Sequence, residues 1–235
     1  VMGRNIFEVA VAEPLSSPLV AMLDVQYRMH PLIGELVSDL FYAGRLRHGG
    51  DPAIHERIAA REPHGGAPLV VLDTAGRTRC QPGAGGQSRL NVTTVDLCVD
   101  LAIRAMRAGA ESVAIITPYV EQARAIRARL KELAGDRGDV RQIECSTVHR
   151  FQGQERDVVI LDTVDAEPMK PGVLLSERGA HSAAQNLINV AISRARGKLI
   201  VVADVRYFEQ RAAGSVVTKM IVRALAVGRR EILRK

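Results

Sequence analysis

The stretch Val158-Val-Ile-Leu-Asp162 decides the fold. Its four apolar residues follow one another without alternation, which is typical of a parallel strand that helices cover on both faces. Similar short runs rich in Val and Ile recur along the chain, and helical patterns separate them. Strands that alternate with helices predict an α/β fold with a parallel sheet. The predicted strands are Ala21–Val25, Leu69–Leu72, Val113–Ile116, Gln142–Cys145, Val158–Leu161 and Leu199–Val202.

Apolar residues spaced three and four apart predict the helices between these strands. Stretches rich in Gly and Pro predict three long loops, which we interpret as mobile. No shift in composition marks a boundary, so residues 1–235 are predicted to form a single domain. The predicted helices run from His30–Pro31 to Phe41 and over Val92–Ala108, Val120–Leu133 and Val216–Ala226, and the predicted loops are Gly49–Gly66, Gly76–Arg89 and Ala166–Ala184.

The composition of the 235 residues is that of an ordinary globular protein, with 47% apolar and 25% charged residues. This balance excludes a disordered tail, a collagen-like rod and a disulfide scaffold. The net charge is +6, and the segment Asn189–Lys235 holds 11 of the 32 basic residues but only 3 of the 26 acidic ones. That basic end is either a solvated C-terminal helix or a face for nucleic acid.

Cys80, Cys98 and Cys145 form no CxxC pair, so neither a zinc site nor a disulfide framework is predicted. Reduced thiols favour a cytoplasmic location. No apolar run approaches the ~20 residues of a membrane span, and the N-terminus lacks the plan of a signal peptide. We therefore expect no membrane partner. The chain begins at Val1 in mid-phrase, which favours a piece of a longer protein.

A tyrosine and an arginine follow the first predicted strand, in Asp24-Val-Gln-Tyr-Arg-Met-His-Pro31. Because ligands bind at the carboxyl edge of open α/β sheets, we expect Tyr27 and Arg28 to lie at that edge. An arginine there can bind a phosphate through two hydrogen bonds, as lysine cannot, and Tyr27 can stack on a base. The alternative is that Arg28 pairs with a local carboxylate and that Tyr27 caps the core.

Hydroxyl groups, a glycine and an acid follow another predicted strand, in Ser146-Thr-Val-His-Arg-Phe-Gln-Gly-Gln-Glu155. Hydroxyls and backbone N–H groups at the start of a helix suit a phosphate. Gly153 permits close approach of the backbone, and Glu155 can accept hydrogen bonds from a ribose. The alternative is that Ser146 or Thr147 only caps a helix and that Glu155 is exposed. His149 has no second His or Cys at metal-ligand spacing, so no metal site is predicted.

Two arginines precede the last predicted strand, in Asn189-Val-Ala-Ile-Ser-Arg-Ala-Arg-Gly-Lys198. Taken singly, Arg194 or Arg196 at a helix end would only favour the helix dipole. Together they can neutralise charge that develops on a transferred phosphoryl group. The chain contains no GxxxxGK[ST] phosphate loop, so we interpret Asp162 as structural rather than as a metal ligand.

Four phrases, in this order, resemble motifs of superfamily 1 helicases, in particular the branch of the nonsense-mediated-decay helicase, whose members move 5′ to 3′. The resemblance is to the second, C-terminal RecA-like motor domain and spans about Leu19 to Ala213. It implies a RecA-like (P-loop NTPase-type) parallel sheet with helices on both faces and no phosphate loop of its own. The phrases are Gln26–Pro31, Ile115–Tyr119 with Gln122, Ser146–Glu155 and Asn189–Arg196.

The resemblance implies a role for each matching residue. Arg28 and Arg194 correspond to catalytic arginines that contact the γ-phosphate, Arg194 as the arginine finger. The implied nucleotide-binding residues are Gln26, Tyr27 near the adenine, Gly153, Glu155 on the ribose and Arg196. The implied nucleic-acid-binding residues are Thr117, Tyr119, Gln122, Ser146 and Thr147.

As a whole, the resemblance implies the second motor domain of an ATP-dependent DNA or RNA helicase. ATP and Mg²⁺ would be held mainly by an N-terminal RecA-like domain of the same protein, and single-stranded DNA or RNA would be the partner. The isolated chain is then not expected to turn over ATP. Relatives commonly carry basic residues where this chain has Gln185–Ile188, and His149 and Arg150 replace acidic or small residues. The alternative is a non-catalytic nucleic-acid-binding or regulatory module with a helicase-like fold.

Overall fold

The computed structural model describes residues 21–84, 86, 88–135, 138–148, 154–178 and 182–234. Its strands are β1 (Val25–Gln26), β2 (Arg47–His48), β3 (Leu69–Asp73), β4 (Gln81–Pro82), β5 (Arg89–Leu90), β6 (Val113–Thr117), β7 (Glu144–Thr147), β8 (Arg156–Asp162), β9 (Ala195–Ala203) and β10 (Arg229–Ile232). Its helices are α1 (Pro31–Phe41), α2 (Pro52–Ala59), α3 (Val92–Arg107), α4 (Val120–Ala134), α5 (Gly138–Arg141), α6 (Val173–Ser176), α7 (Ala183–Ile192), α8 (Val205–Arg211) and α9 (Val216–Val227).

A six-stranded parallel sheet forms the centre of the described structure. Its strand order is β10-β3-β9-β8-β6-β7, and each neighbouring pair is parallel. The predicted α/β fold with a parallel sheet is therefore confirmed. Outside this sheet, β1 pairs with β2 and β4 pairs with β5 in two separate ribbons.

The side chains of β8 alternate between two apolar cores. Val159 and Leu161 enter the core that contains residues of α1, α7, α8 and α9. Val158 and Ile160 enter the core that contains residues of α2, α3 and α4. All four side chains are at most 1% exposed. Both faces of the strand are thus buried, which explains why its apolar residues are consecutive.

Five of the six predicted strands are present, and the first, Ala21–Val25, is wrong. Residues 21–24 have no regular structure, and Leu23 is 90% exposed, so the run is not a buried strand. Only Val25 and Gln26 form a short strand, in the ribbon with β2. The prediction also missed β10, an edge strand beside β3. Its sequence is mostly charged and exposed, because an edge strand with one neighbour needs no apolar run.

The four predicted helices are present as α1, α3, α4 and α9, within one residue of their predicted ends. The predicted loop Gly49–Gly66 is wrong where α2 forms. Asp51 caps α2 by accepting a hydrogen bond from the backbone N of Ala53 at 2.9 Å, and Pro52 occupies the first helical position. Asp51 and Pro52 are both typical of the start of a helix. The helix was not predicted because its eight residues are too few to show a clear apolar stripe. The prediction also missed α8, and α7 begins inside the predicted loop Ala166–Ala184.

Close contact between β9 and α2 fixes the position of that helix. A Cβ atom on Gly197 would lie 2.3 Å from Cβ of Ile58, so only glycine allows this approach. The neighbouring Lys198 is fully buried, and its Nζ donates to the carbonyl of Pro63 at 2.7 Å and to that of His64 at 3.3 Å. Burial lowers the pKa of Lys198 to about 8. A buried ammonium group therefore ties the turn after α2 to the sheet.

A buried carboxylate joins β8 to α3 and α4. Oδ2 of Asp162 accepts from Nε2 of Gln122 at 2.7 Å and from Oγ1 of Thr94 at 3.0 Å, and Oδ1 accepts from the backbone N of Val164 at 3.0 Å. Oε1 of Gln122 in turn accepts from the backbone N of Asn91 at 2.8 Å. Burial raises the pKa of Asp162 to about 6, although these hydrogen bonds oppose the shift. These hydrogen bonds account for both oxygens of the carboxylate.

All three cysteines are buried and free. Among the described residues, no helix is both long enough and apolar enough to cross a lipid bilayer.

Substitution of Gly197 tests the contact between β9 and α2. Gly197→Ala is expected to lower the free energy of unfolding by about 1–3 kcal/mol, because the added methyl overlaps the buried Ile58. The measurement is urea denaturation followed by circular dichroism. Gly138→Ala is the matched control, since a Cβ there meets no atom within 4 Å. Equal loss of stability in the two variants would contradict the close packing.

Titration of Asp162 gives stability a specific pH dependence. The folded-state pKa is about 6, above the ordinary 3.8, so the folded protein binds the proton more tightly than the unfolded chain does between these values. This group therefore favours folding less as the pH rises from about 4 to about 6. As the pH rises over that range, the wild type should lose about 1–3 kcal/mol of unfolding free energy relative to Asp162→Asn. Urea denaturation at several pH values measures it, and a pH-independent difference would refute the assignment.

Candidate functional site

The turn that follows β1 is built by the side chain of Gln26. Its Oε1 accepts from the backbone N of Arg28 at 3.0 Å and from that of Met29 at 2.7 Å, while its Nε2 donates to the Met29 carbonyl at 3.0 Å. With its amide used in this way, Gln26 positions the two residues that precede Met29. Tyr27 is 68% exposed, so the alternative that it caps the core is wrong.

The turn lies at the amino edge of the sheet, where the strands begin. The backbone N of His30 donates to the carbonyl of Arg196, near the start of β9, at 2.6 Å. The expectation of a carboxyl-edge position for Tyr27 and Arg28 is therefore wrong. The expectation fails because β1 is not part of the central sheet. The direction of the sheet strands therefore does not determine where the turn after β1 lies.

Glu155, just before β8, lies between two arginines. Nε of Arg28 donates to its Oε2 at 2.8 Å, and Nε of Arg196 lies 3.8 Å from its Oε1. Nη1 of Arg28 also donates to the carbonyl of Ser193 at 3.3 Å, and Nη1 of Arg196 donates to the buried Asp157 at 3.1 Å. Arg28 thus pairs with a carboxylate, but with one that is 127 residues away in sequence. Glu155 itself stays half exposed.

Arg194 completes this cluster from the connection between α7 and β9. Its Nε is buried and has no hydrogen-bond partner within the part of the chain that the structure describes. Burial and the nearby positive charge of Arg28 lower the pKa of Arg194, and Glu155 opposes them. Three guanidinium groups therefore share two carboxylates, Glu155 and Asp157, which leaves an excess of positive charge and an unused donor.

An open cleft of about 530 Å³ is lined by Arg28 and Arg196 of this cluster, together with Glu155 and Asp51. One of its walls comes from α2, a helix that the sequence did not reveal. Burial lowers the pKa of His55 in that wall, although a hydrogen bond with the backbone of Arg28 opposes the shift. The capping residue Asp51 is the sequence signal from which α2, and with it this wall of the cleft, could have been predicted. The lining residues are Gln26, Tyr27, Arg28, Met29, Asp51, Ile54, His55, Glu155 and Arg196.

A second set of predicted residues lies at the opposite, carboxyl edge. Thr117 ends β6 and pairs in register with Thr147, the last residue of β7, while Ser146 is the partner of Ile116. The hydroxyls of Thr117 and Ser146 are buried and have no hydrogen-bond partner among the residues described. Such groups cost free energy unless a partner reaches them.

Tyr119 and Gln122 do not join this set. The hydroxyl of Tyr119 donates to Oδ1 of Asp165 at 2.8 Å, and the Arg89 guanidinium lies 5.5 Å from the ring centroid. Gln122 is fully buried and donates to Asp162. Both side chains thus make contacts within the protein, and their predicted contacts with nucleic acid stay predictions. The predicted Gly153 lies outside the described residues.

The cluster at the amino edge has the chemistry of an anion site rather than of a metal site. In the described ranges, no three His, Cys, Asp or Glu side chains are grouped so that they could hold a metal ion. The unused Nε of Arg194 and the excess positive charge fit a phosphate group. Exposed Tyr27 lies beside the same cleft and offers an aromatic face.

Comparison with known proteins identifies the family. Residues 2–206 match the family described as AAA domain. The chain is 33% identical to probable helicase MAGATAMA 3 of Arabidopsis thaliana over 79% of this chain and 22% of that protein. It is 30% identical to putative regulator of nonsense transcripts 1 of Takifugu rubripes over 87% of this chain and 19% of that protein. It is 28% identical to ATP-dependent helicase NAM7 of Saccharomyces cerevisiae over 88% of this chain and 21% of that protein.

The chain spans about a fifth of the length of these curated relatives. The matched region carries the motifs at both edges of the sheet, from Gln26 to Arg196. The chain therefore belongs to the AAA domain family and is a C-terminal domain of the superfamily 1 helicases, related to the branch of the nonsense-mediated-decay helicase.

Proposed function

We propose that this chain is the second motor domain of an ATP-dependent DNA or RNA helicase. It would supply arginines to ATP bound on a first motor domain and would grip single-stranded nucleic acid. The observation that carries the proposal is the gathering of Arg28, Arg194 and Arg196 around Glu155 at one edge of the sheet. Like charges held this close repel one another, and an anion between them removes that cost.

A nucleoside triphosphate suits this cluster better than a simple anion does. Its phosphates match the guanidinium groups, its ribose hydroxyls match the half-exposed carboxylate of Glu155, and its base matches the exposed ring of Tyr27. The described residues include no cluster that could hold Mg²⁺, so we assign the metal and the phosphate loop to the first domain. ATP supplies the phosphoanhydride bond that water cleaves.

The arginines have separate tasks in this proposal. Arg28 leaves Glu155 for a phosphate oxygen, which frees the carboxylate for the ribose. Arg194 donates its unused Nε and stabilises the negative charge on the transferred phosphoryl group. Arg196, which is also predicted to bind the nucleotide, keeps its contact with Asp157 and holds the start of β9 in place. Gln26 keeps the turn that carries Arg28 rigid.

Nucleic acid is proposed to bind at the other edge of the sheet. The buried hydroxyls of Thr117 and Ser146 lack partners in the described structure, and Thr147 lies beside them. Hydroxyl groups bind phosphate oxygens without regard to base identity. Contacts of this kind suit a motor that must move along any sequence, and the proposal includes both DNA and RNA.

Removal of the unused arginine tests the nucleotide site. In the full-length protein, Arg194→Ala is expected to leave nucleotide binding intact but to lower kcat for ATP about 10³–10⁵-fold, because the charge acts on the transition state. Strand-stimulated ATPase assays and titration with a fluorescent nucleotide measure the two effects. Arg211→Ala is the control, since Arg211 lies on α8 in an exposed pair with Glu167. Normal turnover by Arg194→Ala would refute the assignment.

The isolated chain is expected to hydrolyse no ATP, because the proposed catalytic site needs two domains. The assay compares this chain with the full-length protein at equal concentration, with and without single-stranded RNA or DNA. Robust turnover by the chain alone would contradict a divided site. A full-length protein that binds nucleic acid but never hydrolyses ATP would instead support the alternative of a non-catalytic binding module.

A further inference from the structure

A groove with a cationic rim runs along the outer side of α4. It consists of two open cavities, of about 170 Å³ and about 580 Å³, that meet at Arg127. We call the pair the α4 groove. Its lining residues are Val120, Ala123, Arg124, Arg127 and Thr147 in the first cavity, and Arg127, Leu130, Lys131, Ala134, Gly135, Val140, Arg141 and Ile143 in the second.

The charged residues that line the α4 groove in the described part of the chain are all basic. They are Arg124, Arg127, Lys131 and Arg141. The first three are three and four residues apart, so they lie on one face of the helix. Arg124 pairs with Glu121 in the first turn of α4, which holds its guanidinium at the mouth of the groove.

One arginine of the same helix, outside the groove, is neutralised by acidic side chains. Arg129 lies outside the groove and is neutralised by two acids, Asp96 at 3.0 Å and Glu132 at 3.1 Å. Arg124 is also paired, with Glu121. Arg127 and Lys131, in the groove, form no ion pair within the described part of the chain, and they are the two cations of α4 that remain available there.

The α4 groove begins at the candidate nucleic-acid edge. Thr147, at the carboxyl end of β7, lines its first cavity. Nη1 of Arg127 donates to the carbonyl of Cys145 at 3.3 Å, so its guanidinium lies against β7 two residues further back. β7 is the last strand of the sheet. The groove therefore begins beside Ser146 and Thr147 and continues along the outer side of the sheet.

We propose that the α4 groove binds the phosphate backbone of single-stranded nucleic acid as the strand leaves Thr147. This inference rests on the proposed function, and it extends the proposed strand path along α4. The basic stretch from Arg124 to Lys131 is about 10 Å long. Phosphates contact the cationic rim, and the apolar floor of Leu130, Val140 and Ile143 faces the sugars and bases.

An acidic amphipathic helix from another protein segment also matches an apolar floor with a cationic rim. Continuity favours the strand, because Thr147 belongs both to the groove and to the candidate nucleic-acid set. A peptide helix would need no such connection. The test below separates the two partners.

The experiment measures nucleic-acid binding by the full-length protein with Arg127→Gln and Lys131→Gln combined. The probes are fluorescein-labelled oligo-dT and oligo-U of about 16 and about 6 nucleotides, within the range of known single-strand sites. Two lost phosphate contacts should reduce the slope of log Kd against log salt by about 1.4 for the longer probe. At low salt its affinity should fall about 10-fold, while the shorter probe, held near Thr117 and Thr147, should bind as before.

Two further variants keep the result interpretable. Arg129→Gln removes one positive charge from the same helix but outside the groove, and its salt slope should equal that of wild type. Lys131→Gln changes an exposed side chain, and its slope should fall by about 0.7. If the groove variants keep the wild-type slope of log Kd against log salt, the inference is overturned. Loss of affinity for an acidic peptide in those variants, with the slope unchanged, would overturn it in favour of a peptide partner.

Failure of the groove and failure of the proposed function give different results. A wild-type protein that binds neither probe, and whose ATPase no single strand stimulates, refutes the proposed function itself. A wild-type protein that binds both probes, with groove variants that bind them equally well, refutes only the α4 groove. A loss confined to the longer probe, with Arg129→Gln unaffected, supports the groove.

Discussion

Burial of both faces of the central sheet is the constraint on which the rest of the structure depends. Residues such as Val159 and Ile160 enter opposite cores, so neither face of β8 has room for a polar site. Functional groups must then lie at the two ends of the strands. In a parallel sheet these ends form two separate edges, and the chain carries candidate functional groups at both. Arg28, Arg194 and Glu155 lie at the amino edge, and Thr117 and Thr147 lie at the carboxyl edge.

Two buried charges depart from the apolar pattern, and both hold helices on the sheet. Asp162 ties β8 to α3 and α4 through Thr94 and Gln122, and Lys198 holds the turn after α2. Each has several hydrogen-bond partners, as a charge removed from water requires. Through these contacts the interior fixes α4, which carries the groove, and α2, which forms a wall of the cleft.

Periodicity predicts the elements that are buried, such as β8 and α3, because burial on one stripe or on both faces leaves a pattern in the sequence. It fails for β10 and α2, whose short or exposed segments leave little pattern. The motifs indicate candidate functional residues but not where these residues lie in the fold. The contact between Arg28 and Glu155 joins residues 127 positions apart, and Gln122 matches a motif yet is buried. Such facts follow from tertiary contacts, which one sequence does not contain.

The two edges are separated by the length of β8. Its seven residues span about 20 Å, more than twice the Debye length of about 8 Å at physiological ionic strength. A change of charge among the partly exposed groups near Glu155 is therefore largely screened before it reaches Thr147. The sheet therefore acts as a spacer that keeps the two electrostatic environments independent of each other.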